Sequence, residues 1–274
     1  MELSDVNSNG LTLLGCGKMG SAMLDGWLKA GVKATSICVL DPNPSDWLMT
    51  QARLGVAVNE GAQTAPAVVL IAVKPQMMDE ALPYIQSLSD ANTVFLSIAA
   101  GTPILRFEDI LGADKAVIRA MPNTPAAIGK GITALIGNAN VSEHQMRLAE
   151  GLLAAIGRTV RLQDEGQMDA VTAVSGSGPA YVFHLIETLG VAAMAEGLPQ
   201  ELAHQLALAT VEGAGALAAQ STEMPSQLRV NVTSPNGTTQ AGLDILMDDD
   251  AGLGPLIGRT VRAAAKRSKE LGNE

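Results

Sequence analysis

The 274-residue chain is 47% apolar and 17% charged, a balance that supports a sizeable core and excludes a largely disordered protein. Its net charge of −10 argues against nucleic acid as a partner, because an acidic surface repels phosphate backbones. The start of the chain lacks the basic and apolar regions of a secretory signal, Pro and Gly interrupt the longest apolar stretches, and the two isolated cysteines suit a reducing compartment, so a cytoplasmic protein without membrane association is expected.

Short apolar runs at 11–14, 36–40, 68–73, 93–98 and 116–120 read as strands. Helical patterns at 19–30, 45–54, 75–88 and 103–111 separate them, which makes βαβ units and a parallel sheet covered on both faces. Two more strands, near 132–136 and 159–162, flank a helix at 142–156 and extend the sheet edge. Beyond residue 164 the strand signal stops, and Ala/Leu-rich helices are expected at 179–196, 199–219, 239–247 and 255–271. The fold class is α/β, a doubly wound domain over 1–163 followed by an all-α domain over 164–274. Small residues such as Ala192, Ala193, Gly213 and Gly215 serve either packing within one chain or interlocking of helices from two. A helical unit this thin predicts a homodimer.

Gly15-Cys16-Gly17-Lys18-Met19-Gly20 follows the first strand and opens a helix, the context in which G-x-G-x-x-G binds a dinucleotide. Gly15 allows the tight turn, Gly17 the approach of a pyrophosphate and Gly20 close helix–strand packing. The helix N-terminus offers free N–H groups to the phosphates. Asp41, ending the second strand, is either the carboxylate that accepts the adenosine ribose hydroxyls and repels a 2′-phosphate, or a turn residue of Asp41-Pro42-Asn43-Pro44. On electrostatics alone Asp41 favours NADH. Ala72-Val73-Lys74-Pro75 ends a core strand, where ligands of such sheets gather. Lys74 faces that cleft or is a charged loop residue.

Three further segments carry chemistry. Arg119-Ala120-Met121-Pro122-Asn123-Thr124-Pro125 is a stiff loop that suits a nicotinamide wall, and ordinary loop composition explains it equally. Ser175-Gly176-Ser177-Gly178-Pro179-Ala180-Tyr181 opens a long helix or serves as a linker. Thr233-Ser234-Pro235-Asn236-Gly237-Thr238-Thr239 precedes another helix and reads as a carboxylate cradle or a simple cap.

In this order the motifs resemble those of the pyrroline-5-carboxylate reductases, from about residue 11 to 271. The resemblance implies a Rossmann domain, an interlocking helical dimerisation domain, often a decamer, and NAD(P)H-dependent reduction of a cyclic imine to L-proline. It implies cofactor binding, NADPH or NADH, by Gly15, Cys16, Gly17, Lys18, Met19, Gly20, Asp41, Asn59, Ala72, Val73, Lys74 and Pro75, with Met121 and Asn123 beside the nicotinamide. The imine substrate falls to Ser234, Gly237, Thr238 and Thr239. Two departures stand out. The family's usual Ser-Pro-Gly-Gly-Thr-Thr reads Ser-Pro-Asn-Gly-Thr-Thr here, and Asp41-Pro42-Asn43 replaces the hydroxyl or basic groups common in NADPH-preferring members. Asn tolerates the positive φ such a turn requires.

Acid–base groups are scarce. No lysine lies between Lys130 and Lys266, and His144, His184 and His204 are isolated, without metal-ligand spacing. A protonated cyclic imine already accepts hydride readily, so positioning suffices and Thr239 is the candidate hydroxyl near the ring nitrogen. A β-hydroxyacid dehydrogenase would use a lysine on the helical domain, and a dinucleotide-sensing module would need no substrate loop.

Overall fold

The computed structural model describes residues 3–61 and 64–272. In chain order the elements are α1 (Leu3–Asn9), β1 (Leu11–Leu14), α2 (Lys18–Lys29), β2 (Ile37–Leu40), α3 (Asp46–Arg53), β3 (Ala57–Val58), β4 (Val68–Ile71), α4 (Met78–Gln86), β5 (Val94–Ser97), α5 (Ile104–Leu111), β6 (Ala116–Met121), β7 (Gly131–Gly137), α6 (Glu143–Ala154) and β8 (Gly157–Arg161). Then follow α7 (Met168–Val171), α8 (Gly178–Ala195), α9 (Gln200–Gln220), α10 (Pro225–Asn231), α11 (Thr238–Leu246) and α12 (Leu253–Leu271).

The strands form one sheet in the order β3-β2-β1-β4-β5-β6-β7-β8, parallel throughout except for the antiparallel β6–β7 pair. Every residue of β1, β2, β4 and β5 is buried, which is why these strands read as unbroken apolar runs: both sheet faces are covered. Trp27 of α2 is fully buried and its indole N–H donates to the Leu152 carbonyl of α6 at 2.9 Å, tying two helices together beneath the sheet. The order reverses beside β1, where chain leaves toward β2 on one side and β4 on the other, so the crevice at their carboxyl ends is the place for a ligand.

Several short elements were not apparent in the sequence, α7 and α10 among them. The α1 helix has seven residues and little periodicity; it is held by Asn7, whose Oδ1 accepts the Lys33 N–H. The two-residue β3 exists because β2 supplies its ladder partners. The stretch Thr172–Gly176 is a π-helical turn that joins α7 to α8 and widens the backbone there.

By packing, the chain divides into two units. One comprises residues up to Gly176 together with the stretch from Ala264 onward, and the other is Ser177–Ala263. The strand pattern alone put the boundary near 163. The compact division falls later because side chains fasten the intervening segment: Asn123 Nδ2 donates to the Ser175 carbonyl, and Ser268 Oγ donates to Asp169 Oδ1 at 2.7 Å. The second unit is all helix. Its α8 and α9 cross closely, since a Cβ on Gly190 would lie 2.9 Å from His204. Few of its residues are buried, while Phe183, Leu208, Leu217 and Ile245 are all exposed.

Candidate functional site

The glycine-rich loop is built by backbone demands. Gly15 has φ +88°, and a Cβ there would press on Ala72 and Val73 at 3.0–3.1 Å. A Cβ on Gly20 would lie 2.5 Å from the Gly15 carbonyl oxygen, so α2 can close onto β1 only with glycine. Gly17 instead faces open space. It is the N-cap of α2 and no side chain caps the helix, which leaves the first N–H groups aimed outward beside that space. Exposed Lys18 opens the helix. Open room at Gly17 and an uncapped positive helix end fit a dinucleotide pyrophosphate. Cys16 contributes its backbone: its thiol is buried, and burial, followed by the charge of Asp41, pushes its pKa up to about 11.

Asp41 sits where a ribose-binding acid would, yet its carboxylate already has two partners. Oδ2 accepts the Cys16 N–H at 2.6 Å and Oδ1 accepts the Asn43 N–H at 2.8 Å. Asn59, at φ +58°, clasps the Asp41 backbone, accepting its N–H at 2.9 Å and donating to its carbonyl at 2.8 Å. The turn reading of Asp41 is therefore met by its contacts to Cys16, Asn43 and Asn59.

A cleft of about 350 Å³ opens at the carboxyl ends of the strands. Its walls are Met19 from the loop, Ala72, Val73 and Lys74 after β4, Ile98, Ala99 and Ala100 after β5, Met121 at the end of β6 with Pro122–Thr124 after it, and Gly176. The backbone of Pro75 starts a 3-10 turn, and its side chain lies outside the described residues. Asn123 shapes the wall from both sides, its Oδ1 accepting the Ile132 N–H at 2.9 Å while its Nδ2 donates to Ser175. Met121 packs against Gly176, where a Cβ would come within 2.7 Å of its methyl. Missing from the sequence reading were the residues after β5 and the partner of Arg119. A lone Arg in the buried strand Val117-Ile118-Arg119-Ala120 was the available signal, since a buried cation requires an acid. That acid is Glu165, at 2.8 Å.

In the second unit, Ser234-Pro235-Asn236-Gly237 forms the turn before α11. The Gly237 N–H donates to the Ser234 carbonyl at 3.0 Å, and Asn236 adopts φ +58°. Gly237 is the N-cap of α11 without a side-chain cap, so the N–H groups of Thr238 and Thr239 stand at a free helix end, with both threonines exposed. A hollow of about 420 Å³ beside this turn is lined by Arg229, Val230, Thr233, Gln240, Leu243, Asp244 and Met247. Among the described residues no His, Cys, Asp and Glu cluster could hold a metal ion, and no helix is long and apolar enough to cross a membrane.

A family profile described as pyrroline-5-carboxylate reductase dimerisation matches residues 165–271, and one described as NADP oxidoreductase coenzyme F420-dependent matches residues 10–101. A pyrroline-5-carboxylate reductase of Pseudomonas aeruginosa is 38% identical, covering 96% of this chain and 97% of its own; one from Synechocystis is 39% identical, covering 96% and 98%. The chain belongs to the pyrroline-5-carboxylate reductase family. Among solved structures, the pyrroline-5-carboxylate reductase of Coxiella burnetii aligns with a TM-score of 0.89 at 32% identity, over 96% of this chain and 98% of that one. The Plasmodium falciparum pyrroline carboxylate reductase, solved with NADP bound, aligns at 0.83 and 28% identity over 97% and 99%. As a pyrroline-5-carboxylate reductase family member, the chain carries the glycine-rich loop and Ala72–Lys74 within the oxidoreductase match, and the 234–239 turn within the dimerisation match.

Proposed function

We propose that this protein reduces 1-pyrroline-5-carboxylate to L-proline with NADPH or NADH. The observation that carries the reading is a pair of uncapped helix N-termini, at α2 and α11, each entered through a glycine, Gly17 facing open space and Gly237 folded against Ser234, in a chain matched along its length by pyrroline-5-carboxylate reductases. The reduced dinucleotide, when bound, supplies the hydride. The backbone from Gly15 to Gly20 holds its phosphates, Asp41 with Asn59 borders its ribose, and Ala72, Val73, Lys74, Met121 and Asn123 wall the cleft. Ser234, Gly237, Thr238 and Thr239 hold the substrate carboxylate through N–H groups and hydroxyls at the α11 N-terminus. The Thr239 hydroxyl donates to the ring nitrogen as it gains electron density. No stronger acid is required, because the iminium is formed by protonation of the free imine.

We read residues 1–163 as the dinucleotide domain and 164–274 as the dimerisation and substrate domain of an interlocked homodimer, with decamer assembly implied by the family resemblance. Apolar helix faces as exposed as those at Phe183, Leu217 and Ile245 favour burial against a second copy. A cytoplasmic location suits this biosynthetic chemistry. The test is to mix the protein with pyrroline-5-carboxylate and either dinucleotide and follow nicotinamide absorbance and proline formation. Absence of proline with both cofactors would reject the activity, and sedimentation of an active monomer would reject the dimer.

A further inference from the structure

We propose that Arg119 and Glu165 form a positioning pair that sets the wall of the cofactor cleft, an inference that rests on the dinucleotide reading above. Arg119 lies in β6 between buried apolar neighbours, with a side chain only 7% exposed. Its NH1 donates to Glu165 Oε1 at 2.8 Å. The same oxygen accepts the backbone N–H of Ile104, the first residue of α5, at 2.9 Å. The N-cap of α5 is Pro103, which offers no side-chain cap, so the carboxylate of Glu165 caps this helix from a distant point in the chain and complements its positive end.

One oxygen thereby joins three segments, and each leads directly into the cleft. From Arg119, β6 continues to Met121 on the same face, and then to Pro122 and Asn123. From Ile104, the preceding loop runs back to Ile98, Ala99 and Ala100, where Ser97 Oγ also accepts the Ala99 N–H. From Glu165, the chain passes through α7 and the π-helical turn to Gly176. An ion pair whose arginine is buried stabilises little more than apolar residues of similar size would, so stability alone does not account for this one. Its placement does: it fixes the mutual spacing of the walls against which a nicotinamide ring must lie.

The test compares Glu165→Gln, Glu165→Ala and the double variant Arg119→Met/Glu165→Met with the wild type. Dinucleotide Kd is read by fluorescence titration, kcat at saturation, and stability by thermal melting. Glu165→Gln keeps the shared acceptor and is expected to stay within about 3-fold of wild type in Kd and kcat, the conservative rescue that positioning requires. Glu165→Ala should weaken Kd and lower kcat by about 10- to 100-fold, as misplacement remote from the reacting atoms does. It leaves Arg119 near a side chain site that is 31% exposed, so water can reach the arginine and the fold should persist. The double variant leaves no charge unpaired and should melt at or above the wild type while keeping the raised Kd and lowered kcat. Wild-type Kd and kcat in the double variant would show that the pair only stabilises and overturn the proposal. Should the double variant not fold, Glu165→Ala equal to Glu165→Gln in both Kd and kcat overturns it, and a difference between them sustains it. A wild-type protein that binds no dinucleotide would refute the functional reading instead.

Discussion

The main-chain N–H of Cys16 donates to the carboxylate of Asp41 across 2.6 Å, so the glycine-rich loop is tied to the end of the neighbouring strand by the acid proposed to border the ribose. A carboxylate fixed there repels a 2′-phosphate. Like unit charges 4 Å apart repel by about 1 kcal/mol even in bulk water, about a 5-fold effect. Asp41→Ala should therefore shift the kcat/KM ratio toward NADPH by at least about that factor. An unchanged ratio would reduce Asp41 to its turn and loop contacts.

Thr12 of β1 has a fully buried hydroxyl with no hydrogen-bond partner among the described residues. Burial of such a group costs about 1–3 kcal/mol, and replacing it by a methyl of similar shape relieves that cost. Thr12→Val is expected to raise the urea midpoint, corresponding to about 1 kcal/mol, with kcat unchanged. A lower midpoint would mean that the hydroxyl has a partner.

Protonated Cys16 is favoured in the folded protein, its pKa standing near 11 against an ordinary 9.0. Between these values the unfolded thiol loses its proton while the folded one keeps it, so stability present below pH 9.0 falls as pH rises toward 11. Buried Cys38, also pushed upward by desolvation, adds in the same sense. Cys16→Ala should flatten part of the decline in melting temperature across that window; an identical slope would show that other groups cause it.

Asn236 holds the turn before α11, the proposed substrate turn, at φ +58°. Glycine takes this conformation freely and a β-branched residue does not, at a cost of roughly 1–3 kcal/mol. Asn236→Gly should leave the KM for the imine within about 2-fold, whereas Asn236→Val should raise it about 10-fold through strain at the turn. Equal KM values for the two variants would remove this turn from substrate binding.

Thr239 should supply one hydrogen bond to the substrate ring nitrogen. Loss of such a bond costs about 0.5–3 kcal/mol depending on charge, or roughly 2- to 150-fold in kcat/KM. Thr239→Val retains the side-chain shape, so dinucleotide affinity should hold while turnover falls. Wild-type kcat and KM would exclude the hydroxyl. Gly237→Val, whose side chain would meet the Ser234 carbonyl oxygen at about 3.0 Å from its Cβ, should also raise the imine KM. An unchanged value there would refute the cradle.

Much of this architecture was legible locally. Apolar runs such as Val68-Val69-Leu70-Ile71 announce strands covered on both faces, and glycines at 15, 17 and 20 announce a turn into a helix, because each feature depends on neighbours within a few residues. The same locality made Asn236 readable as a residue able to replace glycine at positive φ. The short β3 was not readable, since a two-residue strand is defined by its partner rather than by its own pattern. Nor was the π-helical turn Thr172–Gly176, whose end runs into the Ser-Gly-Ser-Gly stretch that fits a linker as well as a helix.

The amino-acid sequence by itself determined the longer strands and helices, their order and the motifs at their ends, through side-chain periodicity and the backbone freedom of particular glycines. Only the tertiary structure decided that Glu165 answers the buried charge of Arg119, that Asp41 reaches back to Cys16, and that the compact first unit extends to Gly176 and takes in the stretch from Ala264. These are pairings across 25 or more residues, and no local propensity encodes them. They arise because a buried charge or N–H must find a partner wherever packing brings one within about 3 Å.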